Sequence, residues 1–193
     1  MKKILSYFIF FLACMATAHA QLVTTISWTE NTSMPAHEVI YYKPGNKLNW
    51  ADFIGKPHLE GNVAALTMSG FGYKSEITTM GNTGQLNIFL YCYFNKPLSW
   101  VKPDKKTNYI LNHEQNHFNL CFIVANQFYQ RLKTTAITLQ NYKSLLPKLY
   151  TEYTAVLNEM QNKYDAQTRN GQEKDPQMQW DNLIIDQLSA IKP

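Results

Sequence analysis

The sequence predicts an α+β fold in which an N-terminal antiparallel β-sheet is followed by three helices. Two patterns carry this expectation. Up to about residue 100, apolar residues recur with period two between turn residues; beyond it they recur at spacings of three and four. Composition adds a third: 45% hydrophobic and 17% charged residues over 193 positions suit a chain with a proper core, not a disordered one. No internal repeat or low-complexity linker interrupts residues 21–193, which read as a single domain.

The first twenty residues are a separate object. Lys2 and Lys3 precede the apolar run Ile4 to Met15, and Ala18-His19-Ala20 fits the small-x-small rule for signal peptidase. Residues 1–20 therefore read as a secretory signal peptide, with the mature chain starting near Gln21 and exported to the periplasm or the extracellular space. Leu12-Ala13-Cys14 loosely resembles a lipobox, but Phe11 stands where Leu is usual, so lipoprotein anchoring at Cys14 is the lesser alternative. The run is too short for a spanning helix, and no later stretch is long enough to cross a bilayer. Loss of Lys2 and Lys3 lowers the net charge from +4 to +2, with 16 basic residues against 14 acidic ones. No basic face results, and nucleic-acid binding finds no support. The mature cysteines are Cys92 and Cys121. They suit either a disulfide in an oxidising compartment or two buried free thiols.

The strands come first. Leu22 to Trp28 and Glu38 to Tyr42 read as strands, the second ending in the turn Lys43-Pro44-Gly45-Asn46. Within Val63 to Met80, Ala65, Thr67, Ser69, Phe71 and Tyr73 share one parity, with Lys74 and Glu76 on the other. The loop Gly81-Asn82-Thr83-Gly84 then joins this run to Gln85 to Phe94 as a hairpin. Three helices follow. The first runs from about Asp104, an N-cap after Pro103, to about Thr134, with Ile110, Leu120 or Cys121, Val124, Phe128 and Leu132 on its apolar stripe. The second starts near Ser144, with Pro147 tolerated in its first turn, and carries Leu146, Leu149, Tyr153, Val156, Met160 and Tyr164. The third opens at Asp175-Pro176, cap then first helical position, and shows Trp180, Leu183, Ile184, Leu188 and Ile191 as its apolar residues.

The chemistry sits on the first helix. His113-Glu114-Gln115-Asn116-His117 places two histidines four positions apart, continuing the stripe between Ile110 and Cys121. Residues at that spacing lie one turn apart on one face, so both imidazoles point inward together. Zinc requires such a pair of nitrogen donors on a rigid support. Glu114 is rotated by about 100° from His113, which leaves it free to act as a general base beside the metal. Two core histidines satisfied by buried hydrogen bonds would share the same spacing. A third protein ligand is required, and no Gly and third His follow His117 to supply it. Glu152 and Glu159 on the second helix are formal candidates, although a solvated helix face explains both. Asp165, just past that helix's apolar stripe, is another; His37 and His58 lie in the strand half.

Several segments carry a resemblance. Leu48 to Pro57 (LNWADFIGKP), Ala64 to Tyr73 (AALTMSGFGY), Ser99 to Val101, Ile110 to Leu120 (ILNHEQNHFNL) and Tyr164 to Gln172 (YDAQTRNGQ) with Trp180 resemble, in order, segments of a family of bacterial secreted zinc-dependent proteases. That family is defined by its His-Glu-x-x-His motif and was long described as a domain of unknown function. The resemblance spans roughly residues 45 to 185. It implies a zincin-like fold with the metal motif on the first long helix, Zn2+ on His113 and His117, Glu114 as base, and closure of the site by Tyr164 to Thr168. Where the family commonly has His, this chain has Asn170. If that position held the third ligand the metal site would be weakened; if Asp165 holds it, the set His113, His117, Asp165 is intact. Tyr164 is a candidate for polarising a substrate carbonyl, against the plainer role of a packed tyrosine. Trp50, Asp52 and Phe53 are marked by the resemblance and expected to support the fold.

The expected function is a secreted zinc-dependent metallopeptidase acting on a peptide or protein substrate, which an exposed edge strand could hold in extended form. The alternative is a catalytically silent secreted binding module on the same scaffold. Asn170 favours the alternative and the intact Glu114 favours the enzyme.

Overall fold

The computed structural model describes residues 21–81 and 83–191. The expected signal peptide, its cleavage site and Cys14 lie outside the described residues. The strands are β1 (Gln21–Trp28), β2 (Val39–Tyr41), β3 (Ala65–Leu66), β4 (Ser69–Met80), β5 (Thr83–Asn95) and β6 (Trp100–Val101); α1 (Asn108–Thr134), α2 (Tyr142–Thr168) and α3 (Lys174–Ala190) follow. The α+β order is as expected, a sheet and then three helices. Among the described residues no helix is long and apolar enough to cross a membrane.

β5 is the axis of the main sheet. β4 pairs with it antiparallel along its whole length, from Met80↔Thr83 to Ser69↔Phe94. Its other edge is shared by β1 over Thr83 to Leu90 and by β2 over Tyr93 to Asn95. β2 is antiparallel to β5 and β1 is parallel to it, so the sheet is mixed and not antiparallel as the sequence suggested. Period-two patterning reports which face is buried and carries no information on strand direction. On one face of β5, Leu86, Ile88, Leu90, Cys92 and Phe94 are all buried, and this face packs on α1. The thiols of Cys92 and Cys121 meet there, 3.5 Å apart and both free.

The helix starts shift by a few residues. Pro103–Lys105 forms a short 3-10 turn, and α1 begins after Thr107, whose side chain accepts from the Ile110 amide at 3.2 Å. Asp104 therefore belongs to the preceding turn; the Pro-Asp pair signalled that turn and not the long helix. α2 starts at Tyr142, ahead of Ser144, because Thr138 and Asn141 bond each other's amides reciprocally through their side chains. Pro147 consequently lies inside the helix, past its first turn. α3 begins at Lys174, so Asp175 and Pro176 are within its first turn instead of at its cap.

β3 and β6 form a separate two-stranded antiparallel ribbon beside α1. Thr67 and Ser69, just past β3, donate to the carbonyls of Glu114 and His117 on α1, at 3.2 and 3.5 Å. Trp50–Asp52 is a 3-10 turn in which Asp52 accepts from the Asn49 amide at 3.0 Å, and Phe53 packs on Phe94 with ring centroids 5.0 Å apart. Those residues support the fold, as expected.

Candidate metal centre

α1 presents His113 and His117 on its buried face, 3% and 9% exposed, with rings edge to face and centroids 4.8 Å apart. Asp165, in the last turn of α2, reaches across to both. Its Oδ1 lies 3.2 Å from His113 Nε2 and 3.0 Å from His117 Nε2, and the two Nε2 atoms are 3.2 Å apart. Among the described residues, His113, His117 and Asp165 form the group that could hold a metal ion. Their near-equilateral triangle has a simple reading. Tetrahedral donors at about 2.0–2.1 Å from zinc stand about 3.3 Å from one another. The three donor atoms are spaced as three such ligands would be, and all three residues line one cleft.

The remaining expected residues fall into place around it. Glu114 lines the same cleft, is 3% exposed, and its Oε2 has no hydrogen-bond partner in the protein. A buried carboxylate oxygen without a partner is costly, by about 1–3 kcal/mol or more, and this one belongs to a residue of the same cleft as the three donors. Glu152, Glu159, His37 and His58 are exposed and take no part in the group. Asn170 lines the cleft from the turn after α2, with φ 54° in the left-handed region and its amide bonded to the Asp165 carbonyl at 2.9 Å. The next residue, Gly171 (φ 76°), lies against the His113 ring, where an added Cβ would come within 3.0 Å of Cγ. A glycine is thus required there on two counts, conformation and close approach.

Tyr164 sits behind the imidazoles and does not line the cleft. It is fully buried, stacked on His113 at 4.6 Å, and its hydroxyl accepts from Gln177 Nε2 at 2.6 Å while donating to the His113 carbonyl at 3.4 Å. Burial pushes that hydroxyl far above the ordinary tyrosine range. Both imidazoles are engaged on their far side: His113 Nδ1 bonds Gln177 Oε1 at 2.8 Å, and His117 Nδ1 bonds Gln161 Oε1. The sequence reading missed Gln161 and Gln177. A signal existed for Gln177, which shares the α3 face of Trp180 and Ile184 and is 1% exposed; a polar residue on an apolar stripe marks a buried hydrogen bond.

The charges favour a cation or proton between the donors. Burial opposes charging of His117, but the hydrogen bond to Asp165 and the carboxylates of Glu114 and Asp165 outweigh it and raise its pKa. Burial likewise raises Asp165, yet hydrogen bonds from His113 and His117 hold it well below the usual carboxylate range. The cleft over this group has a volume of about 350 Å³ and is walled by Ala65, Leu66, Ile110 and Leu157. A larger hollow of about 930 Å³, between Trp28, Tyr42, Phe122 and Tyr129, contains no comparable set of converging donors. No family model, curated protein or solved structure matches the chain.

Proposed function

We propose that this chain is an exported zinc-dependent metallopeptidase with His113, His117 and Asp165 as metal ligands and Glu114 as general base. The observation that carries the reading is the convergence of three donors, at zinc-like mutual distances, beside a buried carboxylate that has no partner in the protein. The donor set fits zinc: two imidazole nitrogens and one carboxylate leave a coordination position open, as catalytic zinc sites do. Zinc, when bound, supplies a Lewis acid that makes a water acidic near neutral pH and polarises a carbonyl. Glu114, which lines the same cleft, would take a proton from a water there and return it to the leaving amine. Tyr164 keeps the His113 ring in place by stacking. The free edge of β3 is suited to an extended peptide. Lys102 N–H donates to the Ala64 carbonyl at 2.9 Å, so in this antiparallel pair the N–H and C=O of Ala65 point away from β6, on a residue that borders the cleft. The resemblance to bacterial secreted zinc-dependent proteases and the leader-like residues 1–20 agree with this reading, including export.

Zinc content of purified wild type and His117→Ala tests the site: wild type carrying about one zinc and the variant little is expected, and equal content in the two sinks the reading. Glu114→Gln tests the chemistry. It should keep zinc and lose peptide cleavage by about 10²-fold or more; undiminished cleavage removes Glu114 from the mechanism. A silent binding module is the second reading, favoured by Asn170 standing in the cleft. Its signature is a wild type that binds zinc and cleaves nothing.

A further inference from the structure

The far-side hydrogen bonds of the two histidines have a direction that can be read without seeing hydrogens. Gln177 Nε2 lies 2.7 Å from Asp181 Oδ1, and a carboxylate oxygen accepts. That fixes the Gln177 amide with its Oε1 toward His113, at 2.8 Å from Nδ1. An amide oxygen only accepts, so Nδ1 carries a hydrogen, and Nε2, which faces Asp165 Oδ1 at 3.2 Å, is the nitrogen that either shares a proton with that carboxylate or is left for an ion. His117 is fixed in the same way by a shorter circuit. Gln161 Nε2 donates to the His117 carbonyl at 2.9 Å, which turns Gln161 Oε1 toward His117 Nδ1.

The Asp181 anchor is itself held. Its Oδ1 also accepts from Asn116 Nδ2 at 2.6 Å and Asn112 Nδ2 at 3.0 Å. Behind Asn116 the amides run in one sense: Leu48 N–H donates to Gln115, Gln115 to Asn119, and Asn119 to Asn116, at 2.7, 3.0 and 3.0 Å. Donors from both sides end on the one carboxylate, so no amide in the chain can turn over without breaking its neighbour's bond.

We propose that Gln177, anchored by Asp181, and Gln161 are positioning residues that keep a hydrogen on Nδ1 of both imidazoles, so that Nε2 is in each ring the nitrogen turned to Asp165 and left for an incoming ion. Partners of this kind on the far nitrogen of a histidine ligand orient the ring and raise its basicity, and their loss typically costs 10–100-fold in metal affinity. The inference rests on the proposed metal site, yet its first readout needs no metal.

The test is the ¹⁵N spectrum of His113 and His117 in metal-free wild type at mildly alkaline pH, followed by zinc titration of Gln177→Met and Gln177→Glu. Nδ1–H is expected on His113, and an Nε2–H tautomer overturns the proposal whether or not zinc binds. Gln177→Met, near in volume but unable to accept, should bind zinc about 10–100-fold more weakly than wild type. Gln177→Glu, which keeps an acceptor for Nδ1–H, should bind more tightly than Gln177→Met. A packing role gives the reverse order, since methionine suits a buried site better than a second carboxylate beside Asp181. Equal affinity of wild type and Gln177→Met also refutes the proposal, whereas a wild type that binds no zinc but shows Nδ1–H refutes only the metal site.

Discussion

The two halves of α1 are both buried, but by different means. From His113 to Asn119 the helix buries imidazoles, a carboxylate and amides, which reach partners on α2, α3 and the Leu48 loop. From Leu120 to Leu132 it buries Cys121, Phe122, Val124, Ala125 and Phe128 against β5 and α2, and Leu120 and Ile123 against Tyr164 and Trp180. The second half contributes stability in proportion to apolar area removed from water. The first half contributes little net stability, because each buried polar group merely recovers in hydrogen bonds what it lost in hydration. Glu114 Oε2 does not recover it. A cost of that kind at one atom calls for an explanation that packing does not supply, and the proposed role of Glu114 is one.

Substitutions should separate the two halves. The largest effect on stability is expected from Phe128→Ala, which empties a fully buried ring site touching Phe71, Tyr73, Tyr150 and Tyr153. It should lose about 3–5 kcal/mol in denaturant unfolding, with zinc affinity of the folded fraction unchanged; a matching loss of zinc affinity would show the halves to be coupled. Asp165→Ala should act the other way, lowering zinc affinity about 10²-fold or more while costing the metal-free protein less stability than Phe128→Ala does, since only the contribution of its bonds to the two histidines is lost. Asn170→Ala should change zinc affinity little, and the opposite ranking in a chelator competition would move the third ligand to that position.

A smaller effect comes from pH. The raised His117 pKa contributes stability that is full below about pH 6.5 and is lost as pH rises through the native value. The lowered Asp165 pKa contributes above about pH 3.9 and is lost only as pH falls through its native value. The metal-free protein is thus helped by this pair between roughly pH 4 and 6.5, and a metal ion taken up there would have to displace the shared proton. The gap between zinc-loaded and metal-free Tm should therefore widen from pH 6 to pH 8, and a gap independent of pH would contradict the shared site. The smallest effect belongs to Glu152→Ala and Glu159→Ala, both exposed, which should stay within about 0.5 kcal/mol in stability and leave zinc binding unaltered.

Reading the sequence located His113, Glu114 and His117 on one long helix because a four-residue spacing has one geometric meaning in a helix. The helix caps were less legible. Pro103-Asp104 and Asp175-Pro176 are both start signals, yet the first opened a 3-10 turn and the second lay inside a helix already begun, since capping residues signal a local turn and not its length. The parallel seat of β1 beside β5 had no sequence signal at all.

By itself, then, the sequence determined the order of strands and helices, the buried stripes, and the pair of histidines, all of which depend on neighbours within a few residues. Only the tertiary structure brought Asp165 within 3.2 Å of both histidines and placed Gln161 and Gln177 behind them. Those contacts join positions 44 to 64 residues apart. They follow from how α2 and α3 pack on α1, which no local periodicity encodes.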